Sequence, residues 1–90
     1  MKQADGKSRE GILLTEDHIY FGGMHLTYQL YVLAKRTYRL FRIRVEKAEE
    51  FAEGELGNDL KKAIELYQSI LEGTVTPCTL EDVLLDLQYA

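Results

Sequence analysis

The sequence predicts an α+β fold: an antiparallel β-hairpin or three-stranded sheet followed by two helices packed on one face. Three observations carry this. Two consecutive segments alternate with a period of two, only a short polar stretch separates them, and beyond residue 58 the period changes to that of a helix.

The first alternating segment is LTYQLYVLA, Leu26–Ala34. It sends Leu26, Tyr28, Leu30 and Val32 to one side and Thr27, Gln29, Tyr31 and Leu33 to the other. The second, YRLFRIRVEK, starts at Tyr38 and separates Phe41, Ile43 and Val45 from Tyr38, Leu40, Arg42 and Arg44. Both are rich in aromatic and β-branched residues, which suit a pleated surface. If Ala34 faces Thr37 across the turn, Leu30 pairs with Phe41, Tyr28 with Ile43 and Leu26 with Val45. Such apolar cross-strand pairs are the unit that stabilises a sheet. A slip of one residue would set apolar against charged positions. Lys35-Arg36 lacks the Gly or Asn of a tight primed turn, so a four-residue loop, Ala34–Thr37, is the better expectation. Upstream, His18–Phe21 precedes Gly22-Gly23, a hairpin signal that would add a third strand. Residues 1–17 read as a flexible N-terminal segment, and 18–90 as a single α+β domain.

Downstream, AEEFAEGELG reads as an acidic connector punctuated by glycine. In the following NDLKKAIELYQSILEG, Leu60, Ala63, Ile64, Tyr67, Ile70 and Leu71 form one apolar helix face. Asn58 is the expected N-cap, Asp59 suits the positive end of the helix dipole, and Gly73 marks the stop. After TVTP, the segment CTLEDVLLDLQ predicts a second helix with the stripe Leu80, Val83, Leu84 and Leu87. Thr79 is its expected cap with Asp82 as the capping-box partner, and Cys78 and Val83 would form a hydrophobic staple.

Composition narrows the function. With 90 residues, 46% of them hydrophobic, the chain is long enough for one small core and too apolar for a disordered segment. No apolar run reaches the ~18 residues of a spanning helix, and the polar start has no secretory h-region. One cysteine excludes an intrachain disulfide and fits a reducing, cytoplasmic setting. Net charge is −4, yet Lys35–Arg44 holds five of the eleven cations, while residues 45–90 carry three cations against eleven anions.

That basic strand with its aromatics raises a nucleic-acid reading, but it has no RNP1-like string, and Phe41 belongs to the core side. The acidic total also disfavours general phosphate binding. His18 and His25 lie seven residues apart with no third ligand at metal spacing, so no metal site is expected. The carboxylates around Glu46–Glu55 lack a calcium-loop pattern. Cys78 beside Pro77 has no specified histidine partner, and there is no Gly-rich phosphate loop, so neither catalysis nor a cofactor is expected.

The order of a strand LTYQLY, a strand YRLFRIRVEK, a helix and the segment GTVTPCTLEDVLLDL resembles a family of short uncharacterised proteins from Gram-positive bacteria. Val75, Pro77, Leu80, Asp82 and Val83 fit that family's closing V-x-P-x-x-L-x-D-V pattern. Thr79 departs from it, standing where the family has a histidine. The resemblance spans roughly Leu26 to Leu87 and implies a bacterial source and a fold of this kind. The family has no assigned activity and supplies no functional residues.

The remaining expectation concerns the sheet face turned away from the helices. In the register above Leu33 meets Tyr38, Tyr31 meets Leu40, Gln29 meets Arg42 and Thr27 meets Arg44. An apolar patch rimmed by arginine has the composition of a protein interface. The sequence therefore predicts a non-catalytic protein–protein interaction module or homodimer using Tyr31, Leu33, Tyr38, Leu40, Arg42 and Arg44. The alternative is weak nucleic-acid binding through Lys35–Arg44. In the homodimer version, the acidic second half of another copy would meet the arginines.

Overall fold

The computed structural model of the chain describes residues 11–34 and 37–89. Four antiparallel strands, β1 (Ile12–Phe21), β2 (Met24–Ala34), β3 (Arg39–Lys47) and β4 (Glu50–Gly57), form a meander in which each strand pairs with its neighbour in sequence. Helix α1 (Leu60–Glu72) follows, then a 3₁₀ turn at Pro77–Thr79 that runs into helix α2 (Leu80–Tyr89). The predicted α+β class holds, with four strands rather than two or three.

Parity decides which residues meet the helices. On β2, Leu26, Tyr28, Leu30 and Val32 are buried, and on β3 so are Phe41, Ile43 and Val45. They pack with Ala63, Leu66, Tyr67 and Ile70 of α1, with Val75, and with Leu80 and Leu84 of α2. The core face expected from the sequence is the one that packs on the helices. The molecule is 19 Å through its thinnest axis. A sheet and one layer on it, spaced about 10 Å apart, account for that thickness.

Tyrosine hydroxyls tie the layers. The Tyr28 hydroxyl donates to the Val75 carbonyl at 2.8 Å, joining β2 to the segment between the helices. The Tyr67 hydroxyl lies 2.8 Å from Asp17 Oδ2 and 3.1 Å from the Tyr28 carbonyl oxygen, joining α1 to β1 and β2. Burial raises both phenols above their ordinary value, and the Asp17 carboxylate raises Tyr67 further.

Several expectations are corrected. The segment read as an acidic connector is β4. Its apolar signal is faint because, of the positions facing the helices, Ala52 and Gly54 are small and Leu56 alone is a large buried residue. A β-carbon on Gly54 would collide with Leu84 Cδ1, so the glycine is a notch that lets α2 lie close against the sheet, not loop punctuation. β1 begins at Ile12, so Ile12–Asp17 belong to the sheet rather than to a flexible segment; residues 1–10 lie outside the described residues. GILL and HIYF form one strand, with Leu14 as an extra residue between Leu13 and Thr15.

The β2–β3 register differs by two residues from the expected one. Val32 faces Phe41, Leu30 faces Ile43, Tyr28 faces Val45 and Leu33 faces Leu40. The strand starts at Arg39, leaving Tyr38 in the connection, of which Lys35 and Arg36 lie outside the described residues. An even shift keeps every side chain on its predicted face, which is why the core survived the error. Both registers give three apolar pairs on the core face, so those pairs could not choose between them. The observed one also sets Leu33 against Leu40 on the other face.

The helix ends differ as well. Asp59, not Asn58, caps α1: its Oδ1 accepts from the Lys61 backbone N–H at 3.1 Å. Thr79 lies within the 3₁₀ turn, where its hydroxyl meets the Thr76 carbonyl at 3.3 Å, and Cys78 is exposed rather than stapled against Val83. Along α1, Leu66 is buried, whereas Leu60 and Ile64 are exposed and line a groove of about 500 Å³ beside Leu14 and Asp17 of β1. On α2, Leu80 and Leu84 are buried, Val83 is partly buried and Leu87 is exposed.

Candidate interaction surface

Because the helices lie on one side, the other face of the sheet carries the remaining parity. Reading across, it presents Leu13, Glu16, His18 and Tyr20 of β1, then His25, Thr27, Gln29, Tyr31 and Leu33 of β2. Leu40, Arg42, Arg44 and Glu46 of β3 follow, and Phe51, Glu53 and Glu55 of β4 complete it. Among the described residues no helix or loop packs over this face.

Its chemistry divides into three zones. At the end nearest the β2–β3 connection is an apolar corner. Leu33 and Leu40 face each other, Leu13 faces Tyr31, and Leu13 is 45% exposed. Tyr31, Leu33 and Leu40 are half-buried. Toward β4 lies a ladder of charges. Arg44 reaches Glu46 at 2.7 Å and Glu53 at 2.8 Å, with its guanidinium 3.9 Å above the Phe51 ring. Burial alone would lower the Arg44 guanidinium, but its bonds to Glu46 and Glu53 outweigh that and raise it. Arg42 makes looser contacts to Glu53 at 3.3 Å and Glu55 at 3.5 Å.

Toward β1 runs a hydrogen-bonded chain. The Tyr31 hydroxyl donates to Gln29 Oε1 at 2.9 Å, and Gln29 Nε2 donates to Glu16 Oε1 at 2.8 Å. Glu16 Oε2 stands 2.7 Å from His18 Nε2, and His18 Nδ1 stands 2.8 Å from His25 Nε2. Hydrogen bonds from Gln29 and from His18 hold the Glu16 carboxyl below its ordinary range.

Of the six residues predicted for an interface, Tyr31, Leu33, Leu40, Arg42 and Arg44 share this face; Tyr38 is exposed in the β2–β3 connection instead. The arginines meet carboxylates of their own chain, where the sequence reading had offered them to another copy. Glu53 and Glu55 were hidden by reading β4 as a connector. Leu13 was lost to the misplaced start of β1. The histidine contact was legible in principle: with Gly22-Gly23 as a two-residue turn, His18, Tyr20, His25 and Thr27 fall on one face of adjacent strands. Both turn glycines have positive φ, 58° and 82°, as a primed turn requires.

Comparison with protein-family models, with curated proteins and with solved structures finds no match for this chain.

Proposed function

We propose that the chain is a non-catalytic protein–protein interaction domain whose outer sheet face is its contact surface. The observation that carries this is the apolar corner of Leu13, Tyr31, Leu33 and Leu40, left without a covering element among the described residues. Large apolar side chains grouped on a rigid sheet and bordered by polar groups are the composition of an interface core and rim. Aromatic and aliphatic anchors there supply affinity, while the flanking charges orient the partner.

The arginine ladder supports a protein partner over a nucleic acid. Arg42 and Arg44 face carboxylates, and phosphate binding through them would have to break those contacts. The simplest partner is a second copy, and light scattering across a concentration series tests it. A mass that rises with concentration in the wild type and returns to the monomer in Leu40→Glu and Leu33→Glu, both still folded by circular dichroism, is the expected result. A partner of different sequence instead leaves the wild type monomeric and makes capture of that partner sensitive to the same substitutions. Retention of self-association or of partner capture by both variants would remove the outer face from consideration.

A further inference from the structure

We propose that His18 and His25 form a binding site for a divalent transition-metal ion of the imidazole-preferring class, such as copper, nickel or zinc. The site shares the outer sheet face with the protein-binding reading and does not rest on it. Two ring nitrogens on adjacent strands, His18 Nδ1 and His25 Nε2, converge to 2.8 Å. Imidazole nitrogens sit about 2.0–2.1 Å from such a metal, so two ligands at the roughly right angles that copper and nickel prefer stand about 2.8–3.0 Å apart, and tetrahedral zinc sets them about 3.3–3.4 Å apart. The pair is already at the first of these separations, and a metal needs the rings to turn rather than the strands to move.

The second nitrogen of His18 makes the case more specific. Glu16 Oε2 lies 2.7 Å from His18 Nε2, and an ionised carboxylate only accepts. The hydrogen of neutral His18 is therefore on Nε2, and the lone pair is on Nδ1, the atom that faces His25. A carboxylate behind the non-ligating nitrogen is the arrangement that orients metal-binding histidines and raises their basicity. Glu16 is itself held by Gln29, and Gln29 by Tyr31. His25 is steadied by Tyr20, whose ring stacks on it at 4.5 Å and 7°. In the metal-free protein His25 Nε2 donates to His18 Nδ1. On binding, that hydrogen moves to His25 Nδ1 through solvent, both rings remain neutral, and each contributes one lone pair.

Among the described residues no three His, Cys, Asp or Glu side chains converge on one point. The site therefore offers two protein ligands, and water completes the shell at these solvent-facing rings. Such a site binds in the micromolar range and follows the order that favours copper over nickel and zinc.

Calorimetric titration of tag-free protein with CuCl₂, NiCl₂ and ZnCl₂ tests this. A Cys78→Ser background removes the exposed thiol as a competing ligand. One ion per chain is expected, with copper bound more tightly than nickel or zinc. His18→Ala and His25→Ala should each abolish the micromolar phase. Glu16→Gln should weaken it about 10–100-fold while leaving the stoichiometry unchanged. Ring ¹⁵N shifts on adding zinc should identify Nδ1 of His18 and Nε2 of His25 as the ligating atoms. Binding equally tight in the two histidine variants, no binding at millimolar metal, or zinc-induced shifts at other nitrogens would overturn the proposal.

Discussion

Two residues hold backbone conformations that their side chains disfavour, and one of them explains how α1 stops. Thr74 has a positive φ of 51°. Its N–H bonds to the Leu71 carbonyl at 3.1 Å, and the Val75 N–H bonds to the Ile70 carbonyl at 3.3 Å. This is the Schellman pattern, with Val75 and Ile70 buried together as its hydrophobic contact. The left-handed position is normally glycine, yet here the glycine is one residue early, at Gly73, and a β-branched threonine takes the strained place. The helix does stop at Gly73, its C-cap, as glycine signals in the sequence; the left-handed turn beyond it falls on the neighbour, Thr74. Thr74→Gly relieves a strain of about 1–2 kcal/mol and returns part of that as freedom of the unfolded chain. It should raise stability by about 0.5–1 kcal/mol, read as a higher midpoint in urea or on heating. A lower midpoint would show that Thr74 makes contacts outweighing its strain. Ala48, at φ 54° in the β3–β4 turn, presents the same situation without the branched side chain.

At the scale of elements, what the sequence disclosed depended on how large the alternating side chains were. β2 and β3 alternate large apolar residues with polar ones and were legible at once. β4 alternates Phe51, Glu53 and Glu55 with Ala52, Gly54 and Leu56, so its inward face shows one large apolar residue in sequence, too few to reveal a period. The reason is on the neighbouring element: α2 brings Leu84 to the space a larger residue would need. Gly54→Ala should therefore destabilise the fold by about 1–3 kcal/mol through overpacking. Leu84→Ala in the same chain should recover part of that cost, giving a favourable coupling in a double-mutant cycle of denaturant unfolding. Strictly additive losses would mean that the notch is not what Gly54 supplies. The rotation of α1 toward Leu66 was hidden for a similar reason. Its apolar residues span more than one face, and only the placement of the sheet decides that Leu60 and Ile64 stay exposed.

For the molecule as a whole, cohesion between the two layers passes through Tyr28 and Tyr67 as well as through apolar contact. Burial raises both phenols above the ordinary tyrosine value of about 10. The sign follows from linkage: a neutral phenol that ionises less readily when folded contributes stability that is complete below the unfolded value, about 10, and is lost as pH rises beyond it. The protein should unfold in alkali, and two of its six tyrosines should ionise only together with unfolding, seen as a delayed step in ultraviolet absorbance. Tyr67→Phe should diminish that delayed step. A single early transition for every tyrosine would contradict the layer-bridging role. The sequence announced Tyr28 as a core residue by its strand parity and Tyr67 by its place on the apolar helix face, but not their hydroxyl partners. Asp17 is fifty residues from Tyr67, and no local pattern links them.

The meander has a further consequence for how the chain is made. Because every strand pairs with its sequence neighbour, all partners of the sheet exist once Gly57 has been synthesised. The side chains that cover its apolar side, from Ala63 to Leu84, are added only afterwards. A growing chain therefore holds every strand before it holds the residues that bury the core, and in that interval Leu26, Tyr28, Leu30, Phe41 and Ile43 have no helical cover to pack against. The order of the elements, rather than the strength of any contact, makes synthesis the stage at which this fold is most open to aggregation.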